Sequence, residues 1–444
     1  QTVAVNFLNG IPGNWTASSN APNITVFPTS GSGAGNIQVT AANGSGGIIT
    51  VTAPGSPGSP QQIQVNVTSV TPAAPYGSFD TPANNTPGIA GAIPVTGWAL
   101  DNMEIESVGI WRTPVTGEGA SANGLVFIGD AEFIADVRPD VQGLYPSVPW
   151  NYRAGWGYLM LTNFLPHSGG AAGLGNGTYN LHAIATNKAG LTFDLGTRTI
   201  TVDNADATKP FGTIDTPNQG GTASGSAYVN FGWALTQNPR CIPVNGSTIT
   251  VYVDSAPAGN PTYNQFRSDV ASLFPGLCNS NGAIGYFYID TTQLVNGEHT
   301  ISWVAYDNAG HVDGLGSRYF TVSNTGGGNA PAVNEPIEAV PASRITLRRD
   351  FEEPRALSAG ADGSYTVDLE QLGLIELHLG AARGHMLVGG AGAPLPVGST
   401  LKGGVFYWQA ALGFLGNYQL VFERPDGSEV RVQANVGPKR FTSQ

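Results

Sequence analysis

One stretch of this chain is written twice. YGSFDTPANNTPGIAGAIPVTGWAL (76–100) returns as FGTIDTPNQGGTASGSAYVNFGWAL (211–235), so DTP at 80–82 matches 215–217 and GWAL at 97–100 matches 232–235. Further on, Arg138, Asp140, Val141 and the Tyr145-Pro146 pair match Arg267, Asp269, Val270 and Phe274-Pro275. NGTYNLHAIATNKAGLTFDLGTRTITVDN (176–204) then matches NGEHTISWVAYDNAGHVDGLGSRYFTVSN (296–324). Self-similarity over such a span means one domain made twice. The copies are set at 71–205 and 206–325.

Within each copy the last segment alternates. Tyr179, Leu181, Ala183 and Ala185 fall on one face, as do Ile301 and Trp303, before an NKAG or DNAG turn and a closing RTITV or RYFTV strand. Period two around a Gly-containing turn predicts an antiparallel hairpin with one buried face. Several such strands per copy predict an immunoglobulin-like sandwich. FRSDVASLF in the second copy has the spacing of a short helical turn, so the sandwich is expected to carry a decoration.

The chain on either side of the repeats differs from them and from each other. No Asp, Glu, Lys or Arg occurs from Gln1 to Phe79. Residues 1–70 alternate in Thr, Ser, Asn and Gln (NITVFP, NIQVTA, GIITVTA, QIQVNVTSV), which predicts a small sandwich with a polar, uncharged exterior. A Gly-then-Pro linker is read at 326–336 and a fourth β domain at 337–444, with RPDG as a hairpin turn. Residues 1–336 carry 9 basic and 20 acidic side chains, against 10 and 11 in 337–444, so the last module is of another kind. The fold class expected is all-β, with tandem immunoglobulin-like sandwiches in an elongated array.

Composition removes several functions. A net charge of −12 without a Lys/Arg cluster repels phosphate backbones and excludes nucleic acid as a partner. No apolar run has the roughly 18 residues a spanning helix needs. The six histidines form no HxxxH or HxH pair, and there is no nucleophile elbow, phosphate loop or zinc spacing. The carboxylates that recur, Asp80/Asp215 and Asp140/Asp269, read as turn caps or ion pairs with the recurring arginines. Neither an enzyme nor a cofactor is expected.

What remains are candidate contacts. Asp307, Asn308 and Asp313 of DNAGHVD offer hard oxygens for Ca²⁺, although the first copy has Lys188 in place of Asn308. Trp98 and Trp233 recur and read as core anchors. Trp111, Trp150, Tyr152 and Trp156 cluster around an irregular insert of the first copy, Asp130 to Pro149, and are largely absent from the second, which makes them carbohydrate-contact candidates, with core repacking as the alternative. Cys241 and Cys278 are the two cysteines; a bond between them would close a loop within one copy, stabilise it by roughly 3–4 kcal/mol and suit an exported chain. Asn14, Asn23, Asn43 and Asn66 sit in N-x-[ST] triplets as glycosylation candidates. In QTVAVNFL, Val3, Val5 and Phe7 could leave their own domain and add as a strand to a neighbouring subunit.

Residues 14–68, with Trp15 and SSNAPNITVFPTSGSGAG, resemble the BACON domain, a small immunoglobulin-like module of secreted bacterial proteins. The copies, with YNQFRSDVASLFPGLCNSNGAIGYFYIDTT and DNAGHVDGLGSRYFTV, resemble the repeated region of large exported proteins of Acidobacteria. LPVGSTLKGGVFYWQAALGFLGNYQLVFERPDG resembles the C-terminal β module of the same proteins. The resemblance implies export, a scaffold role and, through the first module, carbohydrate or mucin as a ligand class.

The expectation is a structural protein of the cell exterior, the subunit of an extracellular filament or surface fibre. It is expected after signal-peptide removal, joined to neighbouring copies through its uncharged first domain. Such a surface can be buried without desolvating charge and without sensitivity to salt. The alternative is a secreted carbohydrate-binding adhesin with glycans as partners.

Overall fold

The computed structural model describes residues 2–5, 13–32, 35–41, 45–56, 58–67, 71–166, 174–324, 337, 340 and 344–441. Phe7, Asn43 and the 326–336 linker lie outside them. The protein is all-β, built of tandem immunoglobulin-like sandwiches, and divides into two compact units, 1–73 and 74–444.

The first unit has a three-stranded sheet (Thr2–Val5, Gly35–Ala41, Ile24–Phe27) and a four-stranded one (Ser30–Ser32, Asn14–Ser19, Gly46–Thr52, Gln61–Asn66). Its core is small. Trp15, Ala17, Ile37 and Ala53 form it, with Val5, Val26, Val39 and Val51 at its margin. Trp15 lies so close over Gly31 that a Cβ there would meet the indole at 2.4 Å.

Each repeat is a four-stranded sheet facing a five-stranded one. In the first repeat the sheets run Glu132–Phe133, Gly155–Leu161, Ala92–Leu100, Tyr76–Thr81 and Val126–Asp130, Ile105–Arg112, Gly177–Asn187, Thr192–Val202, Thr86–Ile89. In the second they run Phe211–Thr216, Tyr228–Leu235, Ile284–Ile289, Thr262–Gln265 and Gly221–Ala223, Val312–Val322, Gly297–Tyr306, Ile249–Val253, Ala256–Gly259. The expected hairpins are present, with Tyr179, Leu181, Ala183, Ala185, Ile301 and Trp303 all buried. The decoration is a short helix in each copy, Pro139–Leu144 and Ser268–Leu273.

Residues 74–444 are more than a row of beads. The C-terminal domain pairs two five-stranded sheets, and its core of Trp408, Leu412 and Tyr418 is continuous with Val137, Leu159 and Leu161 of the first repeat and Phe211, Trp233 and Tyr319 of the second. Buried hydrogen bonds fix the joint. Tyr418 Oη donates to Val137 O and Tyr319 Oη to Leu412 O, each at 2.6 Å. Ser255 Oγ donates to Gly398 O at 2.5 Å and accepts from Gln409 N at 2.6 Å. Burial drives both phenols well above their ordinary pKa, so they stay neutral donors.

Candidate functional site

The recurring motifs are a scaffold. Arg138 bridges Asp80 (2.6 Å) and Asp140 (2.8 Å), and Arg267 bridges Asp215 and Asp269 (2.7 Å), tying the first strand of each sandwich to its helix. The GWAL tryptophans act with these helices. Trp98 packs on Tyr145 at 5.4 Å and 38°, and Trp233 on Phe274 at 5.3 Å and 36°. Both therefore lie on the outward face of the sheet, as anchors of the decoration, and not between the two sheets.

The tryptophan between the sheets is the one the repeat pattern hides. In the first copy it is Trp156, at 0% exposure, crossing over Gly97, where a Cβ would meet its ring at 2.5 Å. This corrects its assignment as a carbohydrate contact: the indole is core. In the second copy the indole is Trp303, stacked over Gly232 and Gly285.

The other aromatic candidates do not converge on one groove. Trp111 is half-buried on the five-stranded sheet, packed edge-on against Phe127 at 4.9 Å. Trp150 and Tyr152 are exposed on the short turn before Gly155–Leu161, which belongs to the other sheet.

The calcium candidate is also corrected. Asp307 Oδ1 accepts from Ala309 N (2.8 Å) and His311 N (2.9 Å), and Oδ2 lies 3.1 Å from His311 Nδ1 and 3.5 Å from Arg240. Asn308 Oδ1 accepts from Cys241 N at 3.0 Å, and Asp313 Oδ1 accepts from Gly314 N at 3.0 Å. These oxygens are taken by N–H groups, those on Asp307 Oδ1 coming from its own hairpin turn, as Asn187 Oδ1 is by Ala189 N and Leu191 N in the first copy. Cys241 and Cys278 are bonded, with their Cα atoms 5.4 Å apart. Asn14, Asn23 and Asn66 are exposed, and Asn23 Nδ2 donates to Ser45 Oγ at 2.7 Å.

Val3 and Val5 pair with Ile37 and Gly35 inside their own domain in the single chain. Their strand is nevertheless an edge. The edge strands Thr2–Val5, Ile24–Phe27, Ser30–Ser32 and Gln61–Asn66 contain neither Pro nor charge. The edges of the repeats are blunted more often, with Asp80, Pro87, Asp130, Glu132, Asp215 and Pro257 on them.

Two surfaces stand out in residues 74–444. A cleft of about 1090 Å³ opens between the second repeat and the C-terminal domain, lined by Arg349, Asp350, Asp368, Glu370 and Lys439 among others. Three of its carboxylates are engaged locally: Asp350 accepts from Leu374 N, Asp368 from Asn435 Nδ2, and Glu370 pairs with Arg440 at 2.9 Å. The other is apolar. Phe231, Tyr286 and Tyr288 form a ridge on the outward face of the second repeat's four-stranded sheet, with centroid steps of 6.2 and 5.7 Å. Single letters in YVNFGWAL and AIGYFYID gave no hint of it, because the same alternation also supplies the core. Register between the two strands was the missing information.

No family model and no curated protein matches the chain. Among solved structures it is similar to the fibronectin(III)-like modules of Clostridium thermocellum CbhA at 15% identity, over 56% of this chain and 94% of that one, with a TM-score of 0.17. It is similar to the N-terminal eight Ig domains of the Down Syndrome Cell Adhesion Molecule at 11%, over 98% of this chain but only about half (52%) of that one, with a TM-score of 0.20. A third is SGBP-B of the Bacteroides ovatus mixed-linkage glucan utilization locus, in complex with a heptasaccharide, at 11% identity over 82% of this chain and 71% of that one, with a TM-score of 0.18. No helix among the described residues is long and apolar enough to cross a membrane.

Proposed function

We propose that the chain is a non-enzymatic structural protein of the cell exterior, the subunit of a polymer joined through its uncharged first unit. The observation that carries this reading is the state of that unit's edges. Exposed strand edges are templates for pairing with another chain, and proteins that stay monomeric blunt them with charge, Pro or a cover. Among the described residues Gln61–Asn66 is a six-residue edge, QQIQVN, with none of these inside it. Pairing there strands no ionised group, so the association resists salt. The shared core of 74–444 supports the same reading, since a subunit that transmits load gains from domains that do not hinge.

The test is electron microscopy of the full chain in 50 mM and 500 mM salt: regular filaments in both support the proposal, and dispersed particles in both oppose it. A glycan-binding adhesin is the second reading, favoured by the exposed Trp150 and Tyr152 and by the BACON-like first module. Retention of the monomeric chain on immobilised glycans, lost in Trp150→Ala, would support it.

A further inference from the structure

The two repeats use one sheet face in two ways. In the first repeat, Ala92, Pro94 and Thr96 lie beside Gly157, Leu159 and Leu161 on the outward face, and all are buried. The C-terminal domain covers them. A Cβ on Gly157 would meet Leu412 at 2.6 Å, and Gln371 accepts from Thr81 Oγ1 and donates to Thr96 Oγ1, each at 3.1 Å.

Register places the counterparts in the second repeat without ambiguity. Thr96 pairs with Gly157 as Phe231 pairs with Tyr286, and Pro94 pairs with Leu159 as Val229 pairs with Tyr288. Half of this second face, with Trp233 and Ile284, belongs to the shared core, under Phe274 and the first repeat's Phe164. The other half is open: Phe231 is 41% and Tyr288 58% exposed. An aromatic patch that continues a buried interface and is left uncovered marks an interaction site.

Geometry selects the kind of partner. Rings that stack on a flat saccharide present coplanar faces, whereas Phe231 and Tyr286 are inclined at 54° and Tyr286 and Tyr288 at 75°. Such an edge-to-face ridge is how aromatic side chains pack in protein cores and interfaces. Thr216, Val229 and Thr262, paired with the ridge in register, carry no charge, and Asp215 beside Thr216 is neutralised by its ion pair with Arg267. Within this chain the segment that matches an uncharged apolar face is the first unit, which has no ionisable Asp, Glu, Lys or Arg and exposes Phe27 at 75% on its Ile24–Phe27 edge strand.

We infer that the Phe231–Tyr286–Tyr288 ridge is the acceptor surface for the first unit of a second copy of this chain, with Phe27 as its anchor. The contact repeats between molecules what the C-terminal domain does for the first repeat within one. It is heterologous, with different patches on the two partners, and so propagates head to tail, into an open polymer when the rotation between subunits does not close a ring. The inference rests on the polymer reading above and names its interface.

The experiment is sedimentation velocity with negative-stain microscopy on the full chain: wild type, Tyr288→Lys, Phe27→Asp, and the two together. Both side chains are exposed, so the variants keep the fold. Wild type associates into filaments, each single substitution weakens association at least about tenfold, and the pair regains part of it because Lys meets Asp. Filaments that form equally well in both single variants overturn this contact while leaving the polymer reading intact. A wild type that stays monomeric at every concentration overturns both. Binding to a soluble β-glucan that Tyr288→Lys abolishes, with association unchanged, gives the ridge to a saccharide and overturns the inference.

Discussion

The two repeats solve one packing problem with the large and small partners exchanged. In the first, the core indole comes from the four-stranded sheet as Trp156, and Ala183 stands opposite on the hairpin strand. In the second, the hairpin strand supplies Trp303 at the position of Ala183, and Gly285 takes the position of Trp156. The volume is kept and its source is moved. Polar satisfaction moves with it: Trp303 Nε1 donates to Asn230 at 2.7 Å, while Trp156 Nε1 finds no partner among the described residues and Val95 occupies the position of Asn230. Interiors tolerate volume-conserving exchange far better than net loss or gain, so a duplicated sandwich can drift this way without losing its fold.

The exchange is the most direct place to break the comparison. Trp156→Ala should cost about 3–5 kcal/mol in the first repeat, and Ala183→Trp added to it should regain part of that loss. Thermal denaturation of both variants checks this. Two independent cores without such compensation would give additive losses instead.

The disulfide is a difference the first copy lacks altogether. Replacing Cys241 and Cys278 by Ser should destabilise the second repeat by roughly 3–4 kcal/mol, by loop-closure entropy over its separation of 37 residues. Denaturant unfolding, followed by proteolysis mapped to each repeat, reads whether the loss stays in the second copy.

The covered face is next. Gly157→Tyr gives the first repeat the side chain its counterpart carries at Tyr286, and it collides with Leu412. A cost of about 1–3 kcal/mol is expected, with new proteolytic cleavage at the joint between the first repeat and the C-terminal domain.

His299 sharpens the comparison through pH, since the first copy has Tyr179 in its place. Burial opposes the imidazolium, but the Asp254 carboxylate 2.5 Å away and the Val295 carbonyl outweigh it and raise the pKa above its ordinary value. A raised histidine pKa stabilises fully below about 6.5, and the contribution is lost as pH climbs through the folded-state pKa. The melting temperature of wild type should therefore fall relative to His299→Gln as pH rises from about 6.5 through the folded-state pKa. Equal slopes for the two proteins would remove His299 from the account. Smallest of all, Tyr288→Leu, the residue of the first copy, should change monomer stability by less than about 0.5 kcal/mol.

Much of this architecture was legible from the repeat. The 135-residue offset gave two copies, period two gave the hairpins, and the recurrence of Arg138/Arg267 with their carboxylates gave ion pairs that the structure contains. Identical letters misled where they recur for a reason other than the inter-sheet core. Trp98 and Trp233 recur because each copy must hold a helix on its outward face, whereas the core tryptophans do not recur in place because only their summed volume is constrained. The shared core of 74–444 was invisible for a related reason. A leucine or tyrosine facing another domain, such as Leu159 or Tyr319, keeps the same alternation as one facing its own sandwich, and only three-dimensional register separates them.

The uncharged first unit is the remaining contrast, and it carries the central claim that this chain polymerises. The most direct test is cryo-electron microscopy of the full chain at rising concentration. The account predicts filaments with one subunit per repeat, unaffected by salt, in which the first unit of one molecule contacts the second repeat of the next. Isolated particles at every concentration, with that unit touching no neighbour, would contradict it.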